Sequence, residues 1–167
     1  MSAAVVIGVG NADRGDDALG LEVTRRLRAR PLGGAAVLDG DGDPAGILGA
    51  WAGRRLAVLV DASSGDDAPG TVRRFEAHRS PIPASLRHAS THSFGPAEAV
   101  ELARALRQLP PEVIVFAVEG HRFAPGRGLS PAVEAAIPEV VERILDELRQ
   151  RGAGDEEEHQ SLTGSRR

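Results

Sequence analysis

The chain of 167 residues contains no cysteine and no lysine, and aromatic residues make up only 3% of it. The absence of cysteine excludes disulfides, thiolate metal ligands and a cysteine nucleophile. The scarcity of aromatic side chains argues against a surface on which nucleic-acid bases stack. The formal net charge is −4, and all 20 basic residues are arginine, so the composition gives no basic footprint for nucleic acid either.

Long apolar runs are also missing. No stretch approaches the roughly 20 residues that span a bilayer, and the first eight residues carry no basic segment typical of a signal peptide. We therefore expect no membrane insertion and a cytoplasmic location. The length suits one domain, which we place at residues 1–150. Residues 151–167 lack hydrophobic periodicity and are predicted to form a disordered C-terminal tail.

Apolar runs alternate with helical patterns along the chain, which predicts an α/β fold with a mostly parallel sheet covered on both faces. Buried strands are predicted at 3–9, 35–38, 56–60 and 113–118, an antiparallel edge strand at 71–75, and helices at 16–29, 44–51, 96–108 and from Pro131 onward. Ser130 is predicted to cap the last helix, and Pro138 to kink it. In such sheets, functional groups collect at the carboxyl ends of strands, near the switch in strand order.

The most informative segment is Gly8–Gly20, where an apolar strand leads through a glycine turn into a helix. The turn delivers two adjacent carboxylates, Asp16 and Asp17, to the strand–helix junction. The segment begins like a dinucleotide fingerprint, but Asp13 stands where the last glycine belongs, and the acidic groups would repel a pyrophosphate. Each carboxylate could alternatively accept bonds from backbone amides at the helix start, and chemistry alone does not separate the two.

Two further polar residues follow at comparable junctions. Asp61 ends an apolar strand, where a carboxylate is costly unless it is hydrogen-bonded, paired or bound to a metal. His92 precedes a predicted helix, and His88 lies four residues earlier. The alternative roles are structural: Asp61 could hold the amides of the next loop, and His92 could cap backbone.

One imidazole and two carboxylates meeting at one sheet edge would form a ligand set for a divalent metal with open positions. Serine chemistry has little support, since no G-x-S-x-G elbow is present. The residues thus favour a metal-binding hydrolase site made of Asp17 or Asp16, Asp61, and His92 or His88.

The motifs, in this order, resemble those of the hydrogenase maturation proteases, the nickel-directed endopeptidases of [NiFe] hydrogenases. The resemblance covers residues 3–149 and is carried by Gly8–Asn11, Arg14–Gly20, Val60–Ala62, Pro69–Gly70, Ser90–His92 and Gly128–Pro131. It implies a three-layer α/β/α sandwich around a five-stranded, mainly parallel sheet. It also implies that Asp17, Asp61 and His92 contact the metal, with Asp16 and Asp39 as weaker candidates.

The same resemblance implies an activity. Members of the family remove a C-terminal extension from the hydrogenase large-subunit precursor after nickel has been inserted, so the nickel is carried by the substrate. Another divalent metal could occupy the isolated protein. We expect a monomeric, aspartic-type, metal-directed endopeptidase. Two alternatives stay open: a non-catalytic metal-binding or partner-binding maturation chaperone on the same fold, and a zinc-type peptidase or amidase with another substrate.

Overall fold

The computed structural model describes residues 2–83 and 95–163, with side chains up to residue 152. Within these residues, five strands form one sheet in the order β2-β1-β3-β5-β4. The strands are β1 (Ala4–Val9), β2 (Ala36–Gly40), β3 (Leu56–Ser63), β4 (Val72–Glu76) and β5 (Glu112–Glu119). The α-helices are α1 (Leu19–Leu27), α2 (Pro44–Trp51), α3 (Pro96–Ala105) and α4 (Pro131–Thr163), and a 3-10 helix spans Gly15–Ala18.

Four strands run parallel, and β4 pairs antiparallel with β5 at one edge. This confirms the predicted fold class, including its antiparallel edge strand. From β1 the chain passes to β2 on one side and then returns to β3 on the other. The strand order therefore switches between β1 and β3, and the crevice at their carboxyl ends is where α/β sheets of this kind bind ligands.

One face of the sheet is covered by α1 and α4. Leu19, Val23 and Leu27 lie one helical turn apart on α1, and all three are fully buried. They share a core cluster with the apolar stripe of α4, which includes Ile137 and Ile144. The amphipathic spacing read in both helices is thus satisfied by burial against the same sheet face.

The opposite face is covered by α2 and α3. Ile47 and Trp51 of α2 and Val100 of α3 join a second core cluster with alternate residues of the strands, among them Ile7 and Leu59. Because successive strand residues point to opposite faces, the continuous apolar runs supply both clusters at once. No helix in the described ranges is long and apolar enough to cross a membrane.

The structure differs from the sequence expectation at several element ends. The helix predicted at 16–29 is divided, since its first residues belong to the 3-10 helix Gly15–Ala18 and α1 covers only Leu19–Leu27. The strand predicted to end before Asp61 continues to Ser63, because β3 keeps pairing with β5 up to the pair Ser63↔Glu119. Asp61 interrupts the apolar run in the sequence but does not end the strand, because the hydrogen bonds between strands are made by backbone groups.

The last helix extends further than expected. It continues from the predicted domain into residues 151–163, where the sequence indicated a disordered tail. Arg151 explains the start of this extension: its guanidinium pairs with Glu147 one turn earlier, with Glu112 at the start of β5 and with Glu76 at the end of β4. Intrinsic propensity does not explain the rest of the extension, since Gly152 and Gly154 directly after Arg151 are weak helix formers.

Candidate active site at the strand switch

Asp17 and Asp61 lie on the two sides of the strand switch. Asp17 belongs to the 3-10 helix that follows β1, and Asp61 lies within the neighbouring strand β3. Burial raises the pKa of the Asp61 carboxyl well above its ordinary value, and the negative charge of Asp17 raises it further. The two side chains are therefore close enough to interact electrostatically.

Glycines in the first motif allow this close approach. A Cβ on Gly20 would lie 2.3 Å from the carbonyl oxygen of Val9 and 2.6 Å from that of Val60, so α1 rests directly on β1 and β3. A Cβ on Gly10 would lie 2.0 Å from the carbonyl oxygen of Asp17. Any side chain at either position would push the Asp17 turn away from the sheet.

The surroundings of this carboxylate pair are acidic and partly desolvated. Burial raises the pKa of Asp17, although the positive charge of Arg14 and the amide of Asn11 oppose the shift. Asp61 Oδ1 accepts a hydrogen bond from the amide of Ala62 at 2.8 Å, while Glu98 in the first turn of α3 adds further negative charge. Such a pair can hold a shared proton, accept a proton from water, or offer oxygen ligands to a cation.

Asp16, the weaker candidate beside Asp17, has a different environment. Its side chain is fully buried, and Oδ2 accepts hydrogen bonds from the amides of His121 and Arg122 at 2.8 and 2.9 Å. Ser130 donates its amide to Oδ1 and its hydroxyl to Oδ2, both at 2.7 Å. Burial alone would raise the pKa of Asp16, but these hydrogen bonds outweigh it and lower the pKa. The carboxylate thus fixes the loop between β5 and α4.

This arrangement corrects one expectation about Ser130. Its carbonyl accepts the amide of Glu134, so Ser130 does occupy the N-cap position of α4. Its hydroxyl, however, donates to Asp16 and does not accept from the helix. The predicted N-cap position is thus occupied, but among the described residues the side chain is used to hold Asp16 and not the first turn of the helix.

Asp39, the other weaker candidate, lies on β2. Its Oδ1 accepts the hydroxyl of Thr24 at 2.5 Å and lies 3.1 Å from Nη2 of Arg28. Both partners belong to or directly follow α1, so this carboxylate ties the first helix to the strand beneath it. His92 and His88 fall in residues 84–94, outside the described part of the chain. Among the described residues, no group of three histidine or acidic side chains is arranged to hold a metal ion.

Glu119 at the end of β5 was not recognised from the sequence. Its side chain is buried, and it accepts hydrogen bonds from the Ser63 hydroxyl at 3.0 Å and from the Gly65 amide at 2.6 Å. Glu119 therefore fixes the end of β3 at Ser63, two residues after Asp61, and the start of the loop that follows. The available signal was a glutamate directly after a continuous apolar strand, in the same position relative to β5 as Asp61 to the predicted β3.

The mostly parallel sheet, covered by helices on both faces, places this protein in the α/β class, with two interacting carboxylates at the strand switch. Comparison with known proteins gives the family. Residues 21–147 match the model of the HycI hydrogenase maturation protease family. The Hydrogenase 2 maturation protease of Escherichia coli is 32% identical over 152 residues, covering 89% of this chain and 92% of that protein. A putative hydrogenase maturation protease of Methanocaldococcus jannaschii is 30% identical, over 87% of this chain and 96% of its own length.

A solved structure agrees with the sequence comparisons. The hydrogenase maturating endopeptidase HybD of E. coli superposes with a TM-score of 0.72 at 28% identity, over 91% of this chain and 94% of the other. The chain therefore belongs to the hydrogenase maturation protease family. With that family, it is a hydrolase of the endopeptidase type. The resemblance carried by the ordered motifs is confirmed.

Proposed function

We propose that this chain removes the C-terminal extension of a [NiFe] hydrogenase large-subunit precursor once nickel has been inserted. Family membership over most of the chain supports the reaction class. The observation that supports particular residues is the electrostatic interaction between Asp17, in the 3-10 helix that follows β1, and Asp61, on the neighbouring strand β3. These are the two described residues that the motifs assign to the metal.

Nickel enters this proposal as part of the substrate. We propose that the precursor's nickel contacts Asp17, Asp61 and His92, so that a precursor without nickel lacks the atom that links it to the protease. The chemistry of the donor set supports this: two carboxylates and an imidazole suit a divalent cation, and the chain has no thiolate that would select a softer site. A nickel ion held there would polarise a nearby carbonyl or water.

The carboxylates also supply a proton acceptor. A carboxyl whose pKa is raised toward the working pH is a more effective general base than an ordinary one. Burial and the charge of Asp17 raise the pKa of Asp61 in this direction. We propose that Asp61, when it is not fully engaged with the nickel, accepts the proton of the attacking water, which makes the enzyme aspartic-type in its chemistry. Monomeric state and cytoplasmic location remain predictions.

Processing of purified precursor tests the proposal. Nickel-loaded large-subunit precursor from the source organism is mixed with the chain, and its mass is followed. Loss of a C-terminal peptide from the nickel-loaded form, with the nickel-free form left intact, is the expected result. A stable complex without loss of mass would instead indicate the maturation chaperone. Cleavage of unrelated peptides by a zinc-loaded chain, without any nickel precursor, would indicate the zinc-type peptidase.

A further inference from the structure

A groove of about 630 Å³ opens between the ends of β1 and β2 and the helix α2. Its inner wall is apolar and includes Ile7, Leu38 and Ile47. Leu38 keeps 38% of its surface exposed, one of only three large apolar side chains so exposed within the described residues. Small residues on α2, Gly46 and Ala50, leave the space open above this wall.

The mouth of the groove is acidic. Three of its lining residues are aspartates, but they are not equivalent. Asp39 is compensated by Arg28. Asp41 accepts a hydrogen bond from the backbone amide of Asp43 at 3.0 Å. Neither the carboxylate of Asp41 nor that of Asp43 pairs with a basic side chain in the described ranges. The mouth therefore carries two uncompensated negative charges above an apolar wall.

The groove reaches the turn that carries Asp17. Gly10 lines it, and Gly10 packs so closely on the backbone of Asp17 that a Cβ would lie 2.0 Å from the Asp17 carbonyl oxygen. The amide of Gly10 donates to the carbonyl of Gly40 at 3.0 Å, which holds the two walls together. A peptide whose cleaved bond lies at Asp17 and Asp61 would reach the groove within a few residues, since extended chain advances about 3.3 Å per residue.

We propose that this groove is a specificity subsite for the precursor and takes an arginine or lysine side chain near the cleaved bond. The aliphatic stem of such a side chain would lie along Leu38 and Ile47, and its cationic end would meet Asp41 and Asp43. Long basic side chains commonly bury their stems in this way while the charge stays at a polar rim. The inference rests on the proposed protease function and names a determinant of its substrate.

The first test fills the groove while it keeps both Asp41 and Asp43. Gly46→Leu places a side chain in the open space, and Gly49→Leu is the matched control, because Gly49 lies on the same helix outside the groove with no neighbour within 4 Å of an added Cβ. Both changes replace glycine inside a helix and should not lower the thermal midpoint. We expect Gly46→Leu to reduce kcat/KM for nickel-loaded precursor about tenfold or more, and Gly49→Leu to leave it within about twofold. Equal effects of both variants would overturn the proposal.

The second test removes the charges. Asp41→Asn with Asp43→Asn keeps a good N-cap residue at the start of α2. The control, Asp66→Asn with Asp146→Asn, makes the same change in net charge elsewhere. Each arginine or lysine within about five residues of the cleaved bond is replaced by methionine in the precursor, one at a time. For one of these precursors, the wild-type enzyme should lose about tenfold in kcat/KM, and the Asp41/Asp43 variant should lose nothing further.

The outcomes separate two kinds of failure. If the wild-type chain cleaves the precursor but the losses in enzyme and substrate simply add for every basic position, the subsite is wrong and the protease function stands. If the wild-type chain leaves nickel-loaded precursor intact, the proposed function itself has failed. Recovery of cleavage by Asp43→Arg on a precursor that carries glutamate at the identified position would establish the contact directly.

Discussion

Asp16 and Ser130 form a double hydrogen bond, in which the backbone amide of Ser130 meets Oδ1 of Asp16 and its hydroxyl meets Oδ2, each at 2.7 Å. The contact joins the turn after β1 to the start of α4. The two adjacent carboxylates therefore have different roles. Asp16 is buried and accepts hydrogen bonds from four donors, whereas the negative charge of Asp17 acts on Asp61. The first motif therefore contains one structural carboxylate and one candidate catalytic carboxylate.

Replacing Asp16 with asparagine should destabilise the fold strongly. The side-chain NH2 group of asparagine is a donor, and it would face one of the backbone amides or the hydroxyl that now donate hydrogen bonds to Asp16. At least one buried donor would then have no acceptor. We expect the free energy of unfolding at pH 7 to fall by about 2 to 4 kcal/mol. Urea denaturation followed by circular dichroism measures this change.

Asp17→Asn is the matched control for Asp16→Asn. It lies next in sequence, and we expect it to change the free energy of unfolding by less than about 1 kcal/mol while abolishing processing of the precursor. If the two variants were equally destabilised, or if Asp16→Asn kept wild-type stability, the structural role assigned to Asp16 would be wrong.

Much of the fold follows from the sequence because its signals are local. The apolar runs that became β1, β3 and β5 are continuous, as strands buried on both faces require, and the helices show clear amphipathic spacing. Element ends were less accurate, since they depend on partners far along the chain. The strand β3 extends past Asp61 because β5 lies beside it, and the first helix is divided because Asp16 is held by residues after β5.

The candidate site could be predicted only in part for the same reason. Asp61 could be recognised from the sequence, because a carboxylate directly after an apolar strand is costly to bury unless it is hydrogen-bonded, paired or bound to a metal. Distinguishing Asp16 from Asp17 required knowledge of Ser130, and the role of Glu119 required its register opposite Ser63. His92 lies outside the described residues, so its assignment as the third metal contact remains a prediction from the motif order.

An ionic cluster at the opposite end of the sheet should make the stability of the fold depend on pH. Burial opposes ionisation of Glu147, but its hydrogen bonds with Arg74 at 2.5 Å and Arg151 at 2.8 Å outweigh this and lower its pKa. A carboxyl whose folded pKa is lowered stabilises the fold above its unfolded pKa, and that contribution is lost as the pH falls through the folded value. The stability should therefore decline as the pH falls below about 4.5.

Glu147→Gln tests this pH dependence. We expect a loss of about 1.5 to 3 kcal/mol at pH 7, and a difference from wild type that shrinks as the pH falls from the ordinary value of 4.5 through the lowered pKa of the folded carboxyl. Glu139→Gln serves as the control, because Glu139 is 60% exposed and its contact with Arg143 is 3.6 Å long. A loss that stays constant across this pH range would point to packing, not charge, as the contribution of Glu147.

His92→Ala should leave the fold intact and abolish processing of the nickel-loaded precursor. The reason is the proposed contact between this imidazole and the nickel of the substrate. His121→Ala is the control, since that exposed side chain has no assigned role in the site. Retained processing by His92→Ala, measured as loss of precursor mass, would remove His92 from the proposed metal contacts.

Asp61→Asn should stabilise the protein while it destroys the activity. At pH 7 an ionised Asp61 is disfavoured by burial and by the charge of Asp17, which is why its pKa is raised well above the ordinary 3.8. Asparagine removes this penalty and can still accept the Ala62 amide with its side-chain oxygen. We expect a higher free energy of unfolding at pH 7, by about 1 to 3 kcal/mol, with no detectable processing.

The pH dependence of that gain identifies its origin. A raised folded pKa means that the carboxyl costs stability above its unfolded pKa, and that the cost disappears at lower pH, where Asp61 is protonated in both states. The advantage of Asp61→Asn should therefore shrink as the pH falls toward 4 and below. A variant that is less stable than wild type at pH 7 would mean that the fold stabilises the ionised carboxylate of Asp61, which would contradict the raised pKa on which its role as the proton acceptor is argued.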